Sequence, residues 1–288
     1  MKKQPYIISL ILFFSIYNNV HAQNALFLTH GRIEFEKKEN MWAKIDSMAY
    51  DDDGWKALMK KTTPRFVTTY FDLRFNENKS LYRPGREDNT NTRNQFMSES
   101  PASDNIILSN FDNQQALSAK NVFEERFLVI DSLRQIKWKV TSEVRTIAGF
   151  ECRRANALIM DSIYVVAFYT DVIVAPGGPE SFTGLPGMIL GISIPHEHLS
   201  WFATKVYAEA VNEKDFITPA KGKKVTNAAL LTLLKDRMKD WGKWATKNIR
   251  PSCYKKTRFT DNQNRLLTTY LLNSNIHIRF AGIVNLLL

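Results

Sequence analysis

One stretch constrains this chain more than any other: Phe168 to Leu190, FYTDVIVAPGGPESFTGLPGMIL. Four of the 12 glycines and three of the 10 prolines fall in it, and strand-like apolar runs bound it on both sides. Glycine reaches backbone conformations that strain other residues, and proline fixes one dihedral and removes a donor. The segment therefore reads as a shaped, rigid loop between two strands. Nothing in it reads as an activated nucleophile or a metal cage.

The flanking chain sets the fold class. Gly31-Arg32-Ile33-Glu34-Phe35-Glu36 alternates apolar and charged residues, and Val67, Thr69, Phe71, Leu73 and Phe75 alternate with Thr68, Tyr70, Asp72 and Arg74, the period of a half-buried strand. Further strands are expected around Ser80 to Tyr82, at Ile106 to Ser109, over Asn121 to Ile130, and at Ser162 to Thr170, Met188 to Ile194 and Ser200 to Ala208. Trp138 to Val144 and Phe150 to Ile159 flank Ala148-Gly149, a hairpin signal. Arg83 to Asn105 is polar and reads as a long exposed loop.

Helical spacing appears twice. Met41 to Lys61 reads as a helix in two pieces, broken at Asp51-Asp52-Asp53-Gly54. The acidic triplet lacks the alternating ligands and closing Glu of a calcium loop, and reads as a capping cluster. Thr226 to Ala245 places Leu230, Leu231, Leu234, Met238, Trp241 and Ala245 on one stripe, an amphipathic helix capped by Thr226 or Asn227. Strands joined mainly by turns predict a mainly β fold with added helices, a curved antiparallel sheet or incomplete β-barrel.

The N-terminus carries an address. Lys2 and Lys3, the apolar run Tyr6 to Tyr17, and Val20-His21-Ala22 form the basic, apolar and small-residue regions of a secretory signal peptide, with cleavage expected after Ala22. The run is shorter than the roughly 20 residues of a membrane span, so no transmembrane span is expected after cleavage. Losing Lys2 and Lys3 takes the formal charge from +10 to +8. The remaining basic residues are dispersed, and an exported chain is a poor partner for nucleic acid. The expected divisions are a signal peptide over 1–22, a β-rich domain over 23–225 and a C-terminal helix and tail over 226–288.

Several motifs together resemble a known family. They are Trp138-Lys139-Val140, Ile147 to Ala155 (IAGFECRRA), Phe168-Tyr169-Thr170, Gly178-Pro179-Glu180-Ser181-Phe182 and Gly184-Leu185-Pro186-Gly187-Met188-Ile189-Leu190. In this order they resemble the GLPGLI family of exported Bacteroidetes proteins, with Met188 in place of the motif's Leu. Similarity runs from Ile33 to Val225, and the stretch from Arg250 on does not look like a usual family ending. Phe168 stands where members commonly show Trp. The resemblance implies an exported β-rich protein in the periplasm or on the cell envelope, and it supplies no catalytic residues.

The candidate residues each carry two readings. Gly184, Pro186 and Gly187 are read as the structural core of the motif. Trp138, Phe168, Tyr169, Leu185 and Pro186 are aromatic and apolar groups that belong to a core or line an apolar groove. His196 and His198, flanking Glu197 after Pro195, could ligate copper or zinc if the segment is extended, since residues two apart then share a side; otherwise the trio is a polar hairpin tip. Cys152 falls where the family motif places its Cys and is read as a small core residue or as half of a disulfide with Cys253. Asp171 and Glu180 could act as paired carboxylates, or be a turn cap and an exposed loop residue, and Ser181 lacks the glycines of a nucleophile elbow. No pattern calls for a cofactor. The expected function is an exported, non-enzymatic envelope protein that binds an apolar ligand or another envelope protein, with a periplasmic metal-binding protein and an envelope hydrolase as alternatives.

Overall fold

The computed structural model describes residues 27–47, 53–87, 102–122, 125–159 and 163–237. The expected signal peptide, the tail from 238 on with Cys253, and 88–101 of the polar loop lie outside them. Among the described residues twelve strands form one mainly antiparallel sheet, left open because its first and last strands do not pair with each other there. In chain order they are β1 Gly31–Asn40, β2 Phe66–Phe75, β3 Lys79–Pro84, β4 Ile106–Asn110, β5 Gln115–Val122, β6 Glu125–Ser132, β7 Lys139–Ile147, β8 Phe150–Ile159, β9 Ile163–Thr170, β10 Met188–Ile194, β11 Leu199–Tyr207 and β12 Lys223–Val225. Across the sheet they run β12-β6-β5-β4-β3-β2-β1-β11-β10-β9-β8-β7. The expectation of an open, mainly β architecture holds.

The helices begin where their spacing puts them, and Met238, Trp241 and Ala245 of the expected third helix lie outside the described residues. α1 Met41–Ser47 and α2 Asp53–Thr62 are two helical pieces, but Asp53 and Gly54, expected in the break, are the first residues of α2, and Asp51 and Asp52 lie outside the described residues. Asn40 caps α1 by accepting from the Ala43 amide at 3.1 Å. α3 Asn227–Arg237 is capped by Thr226, whose hydroxyl accepts from the Ala229 amide, and it buries Leu230 and Leu234.

Two strands depart from the sequence reading. The expected strand over Asn121 to Ile130 is the end of β5 and the body of β6, paired antiparallel from Gln115↔Ser132 to Val122↔Glu125. β5 displays no large apolar alternation, because Ala116, Ser118 and Lys120 carry its interior face. β12 is only three residues long and pairs parallel to β6, and it contains no alternation that a sequence can display.

The core lies on the face that β1, β2 and β8 to β11 share. One row runs Ala155, Ala167, Ile192, Trp201, Lys37 and Thr69 across six strands. The sequence ends its first strand at Glu36, yet β1 continues to Asn40 and keeps Lys37 and Glu39 on the interior face used by Ile33 and Phe35. Both are buried, joined Nζ to Oε1 at 3.1 Å. Lys44 of α1 reaches the other oxygen of the same Glu39.

Candidate functional site

The loop between β9 and β10 is a strap laid over the sheet. Its own polar groups hold its shape: Thr183 donates its hydroxyl to the Pro176 carbonyl at 2.6 Å, and the Phe182 amide to Pro179 at 3.2 Å. The Ile189 amide donates to Gly177 at 2.8 Å, and the Trp138 indole to the Thr183 carbonyl at 2.9 Å. Gly187 is required by space and by conformation together. Its φ is +133°, and a Cβ there would stand 2.1 Å from the Thr170 carbonyl oxygen.

Glu180 is the strap's buried charge. The reading of it as an exposed loop residue is corrected: it is 2% exposed, at a φ of +53°. Asn105, immediately before β4, donates its amide to Oε2 at 2.9 Å, so the strap is fastened to the far half of the sheet. Oε1 has no hydrogen-bond partner among the described residues, and neither has Asn105 Oδ1. Burial pushes the Glu180 carboxyl above its ordinary range, while Lys120, Asn105, Lys37 and Arg134 pull the other way. Tyr82 and Trp201 lie in the same interior. Burial first and the Glu180 charge second push the Tyr82 phenol well up, and the Trp201 indole offsets part of this. Neither Tyr82 Oη nor Trp201 Nε1 closes a hydrogen bond of normal geometry.

Beside Glu180 the strap walls a cleft. Ser109, Ser118 and Lys120 are its buried floor, and Ser132, half-buried Arg134 and the strap's Ser181 stand nearer its mouth. About 20 Å³ there is open to the centre of a water-sized sphere, room for one water or one small group. Burial pushes the Lys120 ammonium down to about 8, with Arg134 adding to the fall and Glu180 opposing it. A second, shallower depression of about 270 Å³ lies by His30, Asn76, Glu77 and Asn78 and is largely polar.

The other predicted residues are placed as follows. Phe168, Tyr169 and Leu185 are buried in the core, Trp138 is packed against it, and Pro186 is exposed on the strap. They are brought together around packing, and none of the five lines either depression. His196 and His198 do not lie on an extended segment: Pro195–Glu197 is a 3-10 turn and His198 is left-handed at φ 52°, so the two-residue spacing loses the shared side it was given. Burial, then His196 and Lys44, push His198 down. Among the described residues no group of three or more His, Cys, Asp or Glu could hold a metal ion. Asp171 is half exposed and pairs with Arg153 at 2.6 Å, away from the buried Glu180. Cys152 is fully buried without a disulfide to any described residue, and Cys253 lies outside them.

No protein-family model and no curated protein matches the chain. Among solved structures it is similar to PNGF-II in a C2 crystal form, with a TM-score of 0.45, 15% identity, and coverage of 69% of this chain and 31% of that one. PNGF-II in a P21 form gives 0.44, 15%, 68% and 32%. An uncharacterized conserved protein from Thermus thermophilus gives 0.33, 7%, 69% and 91%. The chain thus spans about a third of the length of PNGF-II, and likeness of this degree bears on neither mechanism nor ligand.

What sequence reasoning missed is the interior polar set of Lys37, Glu39, Asn105 and Lys120, and the burial of Glu180 among them. For Lys37 and Glu39 a signal existed, since they keep the parity of Ile33 and Phe35. For Glu180 none did, because its partner Asn105 is 75 residues away.

Proposed function

We propose that the chain is an exported, non-enzymatic cell-envelope protein of the GLPGLI type that works by binding, with the strap as the rim of its binding surface. The observation that carries this reading is the strap itself: it is fixed at both ends and across the sheet, and it walls a cleft lined by hydroxyls and cations. The groups an envelope hydrolase would need do not converge, as Asp171 pairs with Arg153 in solvent while Glu180 is enclosed. Of the two kinds of partner the sequence allows, another envelope protein is favoured over an apolar ligand, because Phe168, Tyr169 and Leu185 are spent on packing. The basic and apolar pattern of 1–22 supports export.

Site-specific photocrosslinking in the native cell tests this. A crosslinker at exposed Pro186 should trap one discrete envelope protein, and the same group at Lys61 on α2 should not. The mature chain should be recovered from the periplasm or envelope beginning at Gln23. Recovery in the cytoplasm, or crosslinks that do not distinguish Pro186 from Lys61, overturns the reading.

A further inference from the structure

The strap-walled cleft is lined mainly by side chains that can donate. Four hydroxyls line it, from Ser109, Ser118, Ser132 and Ser181. Two cationic side chains, Lys120 and Arg134, line it as well, and both interact with the Glu180 charge. The acidic group on its wall is already occupied: Asp131 accepts the Ser132 amide at 2.8 Å through Oδ1 and the Asn227 amide at 2.9 Å through Oδ2. That second contact sets the first turn of α3 beside the cleft, where aligned amide dipoles favour negative charge.

Chemistry of this kind selects for an anion. Hydroxyls can donate or accept, but ammonium and guanidinium only donate, so a guest that accepts from several directions satisfies most of the wall. A guanidinium also matches the geometry of a carboxylate or phosphate. The enclosed space of about 20 Å³ is too small for a drug-sized ligand and admits the oxygen end of one tetrahedral or planar oxyanion, whose remainder stands at the mouth.

We propose that the cleft beneath the strap binds a small oxyanion, phosphate, sulfate or carboxylate, held by Arg134 and Ser181 at the mouth and by Lys120, Ser109 and Ser118 at the floor. The site rests on the binding reading above in taking the strap's rim as the working surface, and it names the chemistry that rim admits. Free ion and terminal group of a larger molecule share that chemistry, and affinity separates them.

Calorimetric titration of the mature chain tests the proposal, with inorganic phosphate, sulfate and acetate, sn-glycerol 3-phosphate, and chloride at matched ionic strength. At least one oxyanion should give saturable one-site heat that chloride does not. Arg134→Gln should weaken it by about 100-fold and Ser181→Ala by about tenfold, the effect of removing hydrogen bonds to a charged group. Ser181→Ala leaves every buried charge in place and should keep the wild-type melting temperature in ligand-free buffer, whereas Arg134→Gln removes a cation that offsets Glu180, so its affinity is read at a temperature well below its own melting point; Lys120, at the floor, is left intact. Lys61→Gln serves as a charge control and should bind as wild type does. Tighter binding of glycerol phosphate than of phosphate assigns the site to a group carried on a larger molecule, and equal binding assigns it to the free ion. Absence of saturable heat with every oxyanion, or equal affinity in wild type, Arg134→Gln and Ser181→Ala, overturns the proposal. A chain that binds no oxyanion yet crosslinks through Pro186 loses this site and keeps the binding reading. A chain that binds phosphate but crosslinks nothing keeps the site and loses the protein partner.

Discussion

β9 and β10 bury all but one side chain each and are apolar almost throughout, whereas the interior face of β3 to β6 carries Ser80, Ser109, Ser118 and Lys120 among its few apolar groups. Both regions belong to one sheet, and the strap between β9 and β10 touches both. On the first it is part of the core, through Leu185, Met188 and Ile189. On the second it is a polar cover, through Glu180 and Ser181. The apolar half gains from area removed from water, a term that tolerates many residue types. The polar half must satisfy direction and charge, and each buried group there has a specific partner or a cost. Substitutions on the two sides should therefore fail differently: by steric conflict in the first, by stranded charge in the second.

The largest effect is expected on the apolar side, at Gly187. A Cβ there meets the backbone of Thr170 and Asp171, which cannot move without shifting β9. Gly187→Val should destabilise by more than about 4 kcal/mol, the range of exceptional single substitutions. Gly149→Ala isolates the conformational part, because Gly149 has φ +87° but nothing within 4 Å of its missing Cβ. That variant should lose only about 1 kcal/mol. Chemical denaturation of both would break the comparison if the two losses were equal.

Next comes stranded charge, tested where β1 carries a charged cluster into the core face. Glu39 holds Lys37 and Lys44 in the interior, and Glu39→Gln leaves two buried cations facing one neutral amide. A loss of about 3 kcal/mol is expected, the usual cost of removing one partner of a buried pair. Lys37→Met in the Glu39→Gln background should recover part of it, since on its β11 side the Lys37 row continues through Trp201 and Ile192. Failure of the second change to recover any stability would show that the cluster is not acting as charge.

The contrast also decides what a sequence could display. The apolar side was legible: β2, the β7–β8 hairpin, β9, β10 and β11 follow from alternation or from apolar runs bounded by turns, and Gly149 marks the hairpin turn. Burial of apolar area leaves a periodic trace in one dimension. The polar side leaves none, because Lys120 looks like any surface lysine until β4 and β6 enclose it, and Glu180 looks like a loop carboxylate until Asn105 arrives from another strand. The stretch Gly184 to Leu190 lies on the strap and the start of β10, where Gly187 is fixed by backbone shape, while the strap's buried charge, Glu180, belongs to the preceding Gly178 to Phe182 stretch.

Lys120 gives the polar side a signature in pH. Its folded-state value is pulled from the ordinary 10.5 down to about 8, so between these values the unfolded chain binds more protons than the folded one. Stability should then rise with pH through that window, by about 2 kcal/mol from pH 8 to pH 10. The comparison is between wild type and Lys120→Met, because other lysines and tyrosines titrate in the same range and cancel in the difference. Urea unfolding at pH 8, 9 and 10 should give converging stabilities if Met is the more stable at pH 8; parallel lines would place Lys120 in contact with solvent.

Cys152 offers the smallest and sharpest check on the apolar side. Its thiol is fully buried on β8, and burial pushes it up to about 12, with its hydrogen directed to the Phe150 carbonyl at 3.5 Å. A thiolate fraction that small, shielded from reagent, makes it inert as a nucleophile. Native protein at pH 8 should take up no iodoacetamide at Cys152 over hours, and the same protein in denaturant should label fully under reducing conditions. If Cys152 were instead bonded to Cys253, denaturation alone would leave it unlabelled and reductant would be needed to release it. Mass spectrometry of the denatured, unreduced chain separates these outcomes, and rapid labelling in the native state would mean that the β8 face is open to solvent and that the apolar half is not the filled one.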